Sequence, residues 1–308
     1  MVSLLLFPGQ GAQKVDMAKD LAARFPIARS TLKAIDEALG LPLTQIMWEG
    51  PEEELQQTAN TQPAILAHSA AVLAVLGKRI GTVAGAAGHS LGEYSAYVAA
   101  GSLTATVAAQ LVRRRGELMH QAGTRRPGAM AAVLGLPADV VVERCRAAGA
   151  EGAGIAVAAN LNAPDQTVIS GDPAGVARAG ELCTEAGAKR VLPLKVSGAF
   201  HSPLMAPAED GLRRALAAPF QNPAFPIVAN ATAQPVRTGR DATHLLVEQL
   251  TAPVRWVECV RTLAALAPGA RFLEIGPGSV LAGLLKHILP DAECLPLGTA
   301  DQVERFLA

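Results

Sequence analysis

Aromatic side chains are scarce in this 308-residue chain, at 4% of its residues, although half of the residues are hydrophobic. A core of that composition has to be filled with Ala, Val and Leu. Neither sign of charge is in excess, with 27 Lys plus Arg against 27 Asp plus Glu. The balance removes the electrostatic case for nucleic acid or a membrane surface as partner and leaves room only for local basic patches. Cysteine is sparse too: Cys145, Cys183, Cys259 and Cys294 lie far apart, with no C-x-x-C spacing. They read as reduced, mostly buried thiols of a cytoplasmic protein, and none neighbours a glycine turn or basic cluster that would activate it. Internal repeats and low-complexity tracts are absent, and no stretch is expected to reach the length of a membrane span. The apolar run Val2–Phe7 lacks a basic flank and is too short for a signal segment, so it reads as a first buried strand.

What the chain does have is Gly88-His89-Ser90-Leu91-Gly92. A short apolar run, Val83 to Ala87, precedes it and a helical stretch, Glu93 to Ala100, follows. Strand, sharp turn and helix is the setting of a nucleophile elbow, which projects Ser90 Oγ and aims N–H groups of a helix start at whatever binds there. A helix-capping serine in a glycine-rich turn would read the same way in isolation.

A chain of this length suits two domains, or one large domain with an insertion. Strand Val2–Phe7 runs into Pro8-Gly9-Gln10-Gly11, a tight loop that lacks the third glycine of a dinucleotide fingerprint and the Gly-Lys-Ser/Thr of a phosphate loop. Helices are predicted near Met17–Arg24 and over Ala28–Leu39. Thr61-Gln62-Pro63 is expected to open a long apolar helix through Leu76, with His68 on its face or in the core. Thr104–Gln121 has helical periodicity and carries Arg113-Arg114-Arg115. Successive helical residues lie about 100° apart, so at most one of these arginines turns inward while the others are solvated or pair locally.

Between Thr124 and Ala199 the pattern reads strand Ala129–Leu134, helix Ala138–Ala148, strand Gly154–Ala159, strand Gln166–Ser170, helix Ala174–Ala186 and strand Arg190–Leu194. This is the βαββαβ order of a ferredoxin-like unit. Beyond it come strand Pro226–Asn230, helices Ala242–Leu250 and Val257–Ala267, strand Arg271–Ile275, the turn Gly276-Pro277-Gly278 and helix Val280–Ile288. The expected architecture is α/β: a parallel-sheet, α/β-hydrolase-like large domain (1–124 and 196–308) with an inserted ferredoxin-like subdomain (125–195). Sites in such sheets lie beyond the C-terminal strand ends, which marks the loops after Phe7, Ala87 and Ile275.

A serine nucleophile needs a base and oxyanion donors. Of the six histidines, His89 sits inside the elbow, while His120, His244 and His287 fall on helices. His201 lies in Gly198-Ala199-Phe200-His201-Ser202, where the chain returns to the large domain, and Ser-then-His is the hydrolase order. No acidic residue between them stands out, so a dyad is expected, its imidazole oriented by a backbone carbonyl.

Phe7-Pro8-Gly9-Gln10-Gly11, Thr61-Gln62-Pro63, Gly88-His89-Ser90-Leu91-Gly92-Glu93, Arg115-Gly116, Gly198 to Ser202 and Glu274 to Gly278 occur in that order. The set resembles the malonyl-CoA:acyl carrier protein transacylases of fatty acid synthesis and the acyltransferase domains of polyketide synthases, over nearly the whole chain. The resemblance implies Ser90 as nucleophile, His201 as general base and then acid, and the N–H groups of Gln10 and Leu91 as oxyanion hole. It implies Arg115 as the clamp on the malonyl carboxylate, which a planar guanidinium grips in bidentate fashion. Gln249 would orient His201 through its main-chain carbonyl. Gln62 and Asn160 would be secondary contacts, and Phe200 would narrow the pocket toward malonyl rather than bulkier units. Malonyl-CoA and an acidic acyl carrier protein would be the partners, the latter near Arg125, Arg126, Lys189, Arg190 and Lys286. No cofactor or metal is implied, since the coenzyme A ester is a substrate, and a monomer is expected. The same residues leave open a free-standing polyketide acyltransferase, a malonate decarboxylase malonyl transferase, a serine esterase or thioesterase, and a carrier-binding module without activity.

Overall fold

The computed structural model describes residues 2–217 and 220–308. Its strands are β1 (Val2–Phe7), β2 (Thr82–Gly88), β3 (Ala129–Leu134), β4 (Ala156–Ala163), β5 (Gln166–Gly171), β6 (Arg190–Pro193), β7 (Ile227–Val228), β8 (Pro235–Val236), β9 (Arg271–Ile275) and β10 (Cys294–Leu297). The large sheet has the order β10-β9-β1-β2-β7-β8, parallel except for the antiparallel β7–β8 pair at its edge. β1 sits centrally, and its near-continuous apolar sequence is that of a strand covered on both faces. Leu5 and Phe7 enter one core cluster, Leu4 and Leu6 the other, as alternation along a strand requires. The expected α/β class with a small subdomain holds. β3 to β6 form an antiparallel sheet of order β4-β5-β3-β6, with helices Ala138–Ala150 and Pro173–Glu185 burying Cys145 and Cys183 against it. That is the ferredoxin-like arrangement.

Several expected boundaries are corrected. The long apolar helix spans Thr58–Leu76, so Pro63 lies inside it rather than at its opening. Proline removes the N–H that would bond the carbonyl four residues back. Here that carbonyl, Ala59 O, accepts instead from Arg113 Nη1 at 3.1 Å. The same helix overturns the expectation that no stretch is long enough for a membrane span: with its 3-10 extension to Ile80 it is 23 residues and apolar enough by composition. It is the central core helix of the large unit, buried at most positions and on every side. The helix carrying the three arginines runs on to Arg125, four residues past its expected end.

β4 starts and ends later than expected, at Ala156–Ala163 rather than Gly154–Ala159, because its polar end is stitched to the large unit. Leu161 N donates to Val254 O at 2.9 Å and Val254 N to Ala159 O at 2.8 Å. β7 keeps only Ile227 and Val228 of the expected Pro226–Asn230. Pro226 has no N–H to give, and the Asn230 N–H is diverted to Glu93 Oε2 at 3.0 Å. β8 and β10, and helices Leu43–Glu49 and Ala300–Leu307, had no counterpart in the sequence reading.

Candidate active site

Ser90 lies between β2 and helix Gly92–Ala99 with φ +53°, a left-handed conformation costly for a residue with a side chain. The glycines flanking it have a direct steric cause. A Cβ on Gly88 would collide with the Gly92 carbonyl, and one on Gly92 with the Phe7 carbonyl. The turn is thus wedged between its own helix and the end of β1, and His89 N donates to Phe7 O at 2.9 Å.

Ser90 Oγ is 2.8 Å from His201 Nε2, and His201 Nδ1 is 2.8 Å from Gln249 O. A carbonyl only accepts, so Nδ1 carries the proton, Nε2 is the bare acceptor, and the Ser90 hydroxyl donates to it. His201 is buried, and burial together with the Arg115 charge lowers its pKa from 6.5 to about 3. The imidazole is therefore neutral at physiological pH and ready to take a proton.

Arg115 is the inward-turned member of the triple arginine, 1% exposed, while Arg113 and Arg114 pair with Glu117. Its Nη2 donates to Ser90 Oγ at 3.1 Å and to Gln249 Oε1 at 3.0 Å, and its Nη1 to Gln62 Oε1 at 2.7 Å. Gly116 makes this approach possible, since a Cβ there would lie 2.7 Å from Thr58 O and 2.8 Å from Ala59 Cα. The two long helices touch backbone to backbone at that point. Burial pulls the guanidinium pKa down, opposed by Tyr94 and Glu93. Arg115 Nε has no hydrogen-bond partner among the described residues. A buried cation with unused donors beside a nucleophile suits a small substrate anion.

The acyl transferase domain family matches residues 4–301. The chain belongs to that family. It is 42% identical, over 97% of its length and 94% of the relative's, to the malonyl CoA-acyl carrier protein transacylase of Bacillus subtilis. An acyl carrier protein S-malonyltransferase from Vibrio cholerae superposes with a TM-score of 0.92 at 41% identity, covering 98% of this chain and 99% of that one. A malonyl-transacylase in complex with its type II polyketide acyl carrier protein superposes with a TM-score of 0.94 at 40% identity, covering 100% and 99%.

Within this acyl transferase the remaining expected site residues fall as follows. Neither Gln10 N nor Leu91 N meets an acceptor among the described residues, while the Gln10 side chain is held by Thr58 Oγ1 at 3.0 Å. Gln249 closes helix Gly239–Glu248 as its cap, which turns its carbonyl toward His201. Phe200 is buried beside Gly198 and Met205. Asn160 is buried in β4, and no hydrogen bond joins its side chain to Ser90, His201 or Arg115 among the described residues. Asn162, two residues on, meets His89 Nε2 at 2.8 Å. The loop after Ile275 presses on Pro8 rather than on Ser90. Helix Val280–Ile288 behind it is held by the buried Glu274 carboxylate, which accepts from Leu281 N at 3.0 Å and Ala282 N at 2.7 Å. A cavity of about 150 Å³ lies between this helix, the Pro8–Ala12 loop, His89 and Asn162.

Of the five surface cations, Arg126 is committed to a forked pair with Asp172, so its charge is compensated. Arg125 at the end of its helix, the adjacent Lys189 and Arg190 at the start of β6, and Lys286 on helix Val280–Ile288 are exposed. No acidic residue between Ser90 and His201 stands out in the sequence as a third member, yet Glu93 lies fully buried behind Gln249. Its place at the end of the Gly88 to Glu93 motif was the available signal. Asn230, whose Oδ1 accepts from Ser90 N at 2.7 Å, carried none.

Proposed function

We propose that this protein moves a malonyl group from coenzyme A to the phosphopantetheine thiol of an acyl carrier protein, through an ester on Ser90, in fatty acid biosynthesis. The observation that carries the reading is the buried Arg115 guanidinium 3.1 Å from the Ser90 Oγ that His201 engages. A malonyl ester on Ser90 carries its free carboxylate two carbons from the acyl carbonyl, within reach of that guanidinium, and an acetyl ester has nothing to offer it. The names and coverage of the relatives support the same donor and acceptor.

In the first half-reaction Ser90 Oγ attacks the thioester carbonyl as its proton passes to His201 Nε2. Negative charge then develops on the carbonyl oxygen, where the N–H groups of Gln10 and Leu91 receive it. The resulting imidazolium keeps its Nδ1–H on Gln249 O and returns its other proton to the departing thiolate. In the second half-reaction the carrier thiol loses its proton to the same Nε2 and attacks the ester. Ser90 leaves with that proton restored. We place this activity in a cytoplasmic monomer that uses neither cofactor nor metal.

An esterase would be expected to put a carboxylate on the histidine, whereas His201 Nδ1 meets a backbone carbonyl, and it would have no use for Arg115. A polyketide carrier is the second reading, favoured by the resemblance to the transacylase solved with one. Initial rates with both substrates varied, reading malonyl on the holo carrier protein by mass, test the proposal. Parallel double-reciprocal lines are expected with malonyl-CoA. Intersecting lines, or free malonate in place of malonyl-carrier, would overturn it, and competing holo carriers of the two pathways decide the acceptor.

A further inference from the structure

Gln249 and Asn230 between them hold Ser90, His201 and Arg115, and Glu93 holds both, one by its side-chain amide and the other by its main-chain N–H. Gln249 Nε2 donates to Ser90 O at 3.1 Å, its Oε1 accepts from Arg115 Nη2 at 3.0 Å, and its main-chain carbonyl takes His201 Nδ1–H at 2.8 Å. Asn230 Oδ1 accepts from Ser90 N at 2.7 Å and its Nδ2 donates to Gly88 O at 2.8 Å, bracketing the elbow. Glu93 Oε2 accepts from Gln249 Nε2 at 2.7 Å and from Asn230 N at 3.0 Å. All three residues are buried.

From these contacts we infer that Glu93 is a positioning residue, which sets Arg115 and His201 against Ser90 by fixing Gln249 and Asn230. The inference rests on the acyl-transfer reading above. Its physical core is the two-ended chemistry of an amide. Gln249 could rotate by half a turn and present NH2 rather than oxygen to Arg115, donor against donor. Arg115 Nη2 on one side, and Ser90 O at 3.1 Å and Asn230 Oδ1 at 3.3 Å on the other, favour the orientation with Oε1 toward the guanidinium, and Glu93 Oε2, the shortest of the Nε2 contacts at 2.7 Å, anchors it. The choice is transmitted to the malonyl clamp because Arg115 Nη2 is shared between Gln249 Oε1 and Ser90 Oγ. The same bond fixes the residue whose main-chain carbonyl holds the histidine. Glu93 hydrogen-bonds none of the reacting atoms; it acts through these neighbours and through its field on Arg115.

Three substitutions separate this role from bulk packing. Glu93→Met keeps the volume and removes the acceptor. Glu93→Gln keeps an acceptor, because Asn230 N–H can only donate and holds the introduced amide oxygen toward itself and toward Gln249. Glu93→Asp keeps the charge and withdraws it by one methylene. Each variant and the wild type is mixed with malonyl-CoA or acetyl-CoA, the Ser90 adduct is followed by intact mass, and thermal unfolding is recorded alongside. Glu93→Met should load malonyl about a hundredfold more slowly and lose about tenfold of its malonyl-over-acetyl preference. Glu93→Gln should stay within about tenfold of wild type with the preference kept. If Glu93→Met does not fold, Glu93→Asp carries the test and should show the same narrowed preference. A folded Glu93→Met or Glu93→Asp with wild-type rate and preference overturns the inference, as does a Glu93→Gln protein as impaired as Glu93→Met. A wild type that takes neither ester sinks the acyl-transfer reading instead.

Discussion

In the proposed transfer the choice of acyl group turns on Arg115, and its energetics are those of a buried charge. Truncating one partner of a desolvated charge pair costs roughly 2–5 kcal/mol. Arg115→Ala should therefore slow malonyl loading about a hundredfold or more while leaving acetyl loading within about tenfold, measured as single-turnover adduct formation. His201 gives a second residue-scale prediction. With its pKa lowered to about 3 by burial and Arg115, its nitrogen chemical shifts should stay those of a neutral Nδ1–H tautomer from pH 8 down to pH 5. An imidazolium signal appearing near pH 6.5 would contradict the geometry. At this scale the motifs were informative, since Ser90, His201, Arg115, Gln62 and Gln249 were all selected from sequence and do converge. Glu93, Asn230 and Asn162 act through neighbours 73 to 156 residues distant in the chain, a relation that no local pattern encodes.

Elements matter here chiefly through close approach. Gly116 lets the arginine-bearing helix rest on the backbone of the apolar core helix, and Gln62 meets Arg115 beside that contact. Gly116→Ala would force the two helices apart, at a cost of about 1–3 kcal/mol by the usual penalty for overpacking. The expected outcome is a lower unfolding temperature together with a weakened malonyl preference, whereas Gly283→Ala, an open position on another helix, should raise the unfolding temperature slightly through helix propensity and leave the preference unchanged. Two of the element-scale departures from expectation share a source. Pro63 inside a helix is tolerable because Arg113 reaches back to Ala59 O, and β7 is short because Asn230 N–H belongs to Glu93. Long-range side chains overrode local propensity in both cases.

For the whole molecule, the notable feature is three histidines kept neutral by burial. His201 and His68 are lowered to about 3 and about 4, and His89 is lowered as well. A depressed histidine contributes stability above about pH 6.5 that is lost as the unfolded chain takes up protons below it. Glu93, raised to about 7 by burial, and Glu274, raised likewise, act oppositely, adding stability as pH falls toward the carboxylate range. With His89 and Glu274 opposed in direction, His201 and His68 outweigh Glu93, so the unfolding free energy read from urea titration should fall between pH 6 and pH 5, by about 1.4 kcal/mol per pH unit for each net proton. A rise over that interval would contradict burial keeping His201 and His68 neutral in the folded protein. The α/β class and ferredoxin-like order were readable from alternating strand and helix signals, because those signals are local. The stitching of β4 to Val254, which joins the small sheet to the large unit, was not.

Intact-protein mass after brief exposure to malonyl-CoA reads directly whether a malonyl ester forms on Ser90. One malonyl adduct is expected, mapped to the Ser90 peptide, absent in Ser90→Ala and discharged by a holo acyl carrier protein that gains the malonyl mass. Coenzyme A release without an adduct on the protein and without malonyl on the carrier would contradict it, since water would then be the acceptor.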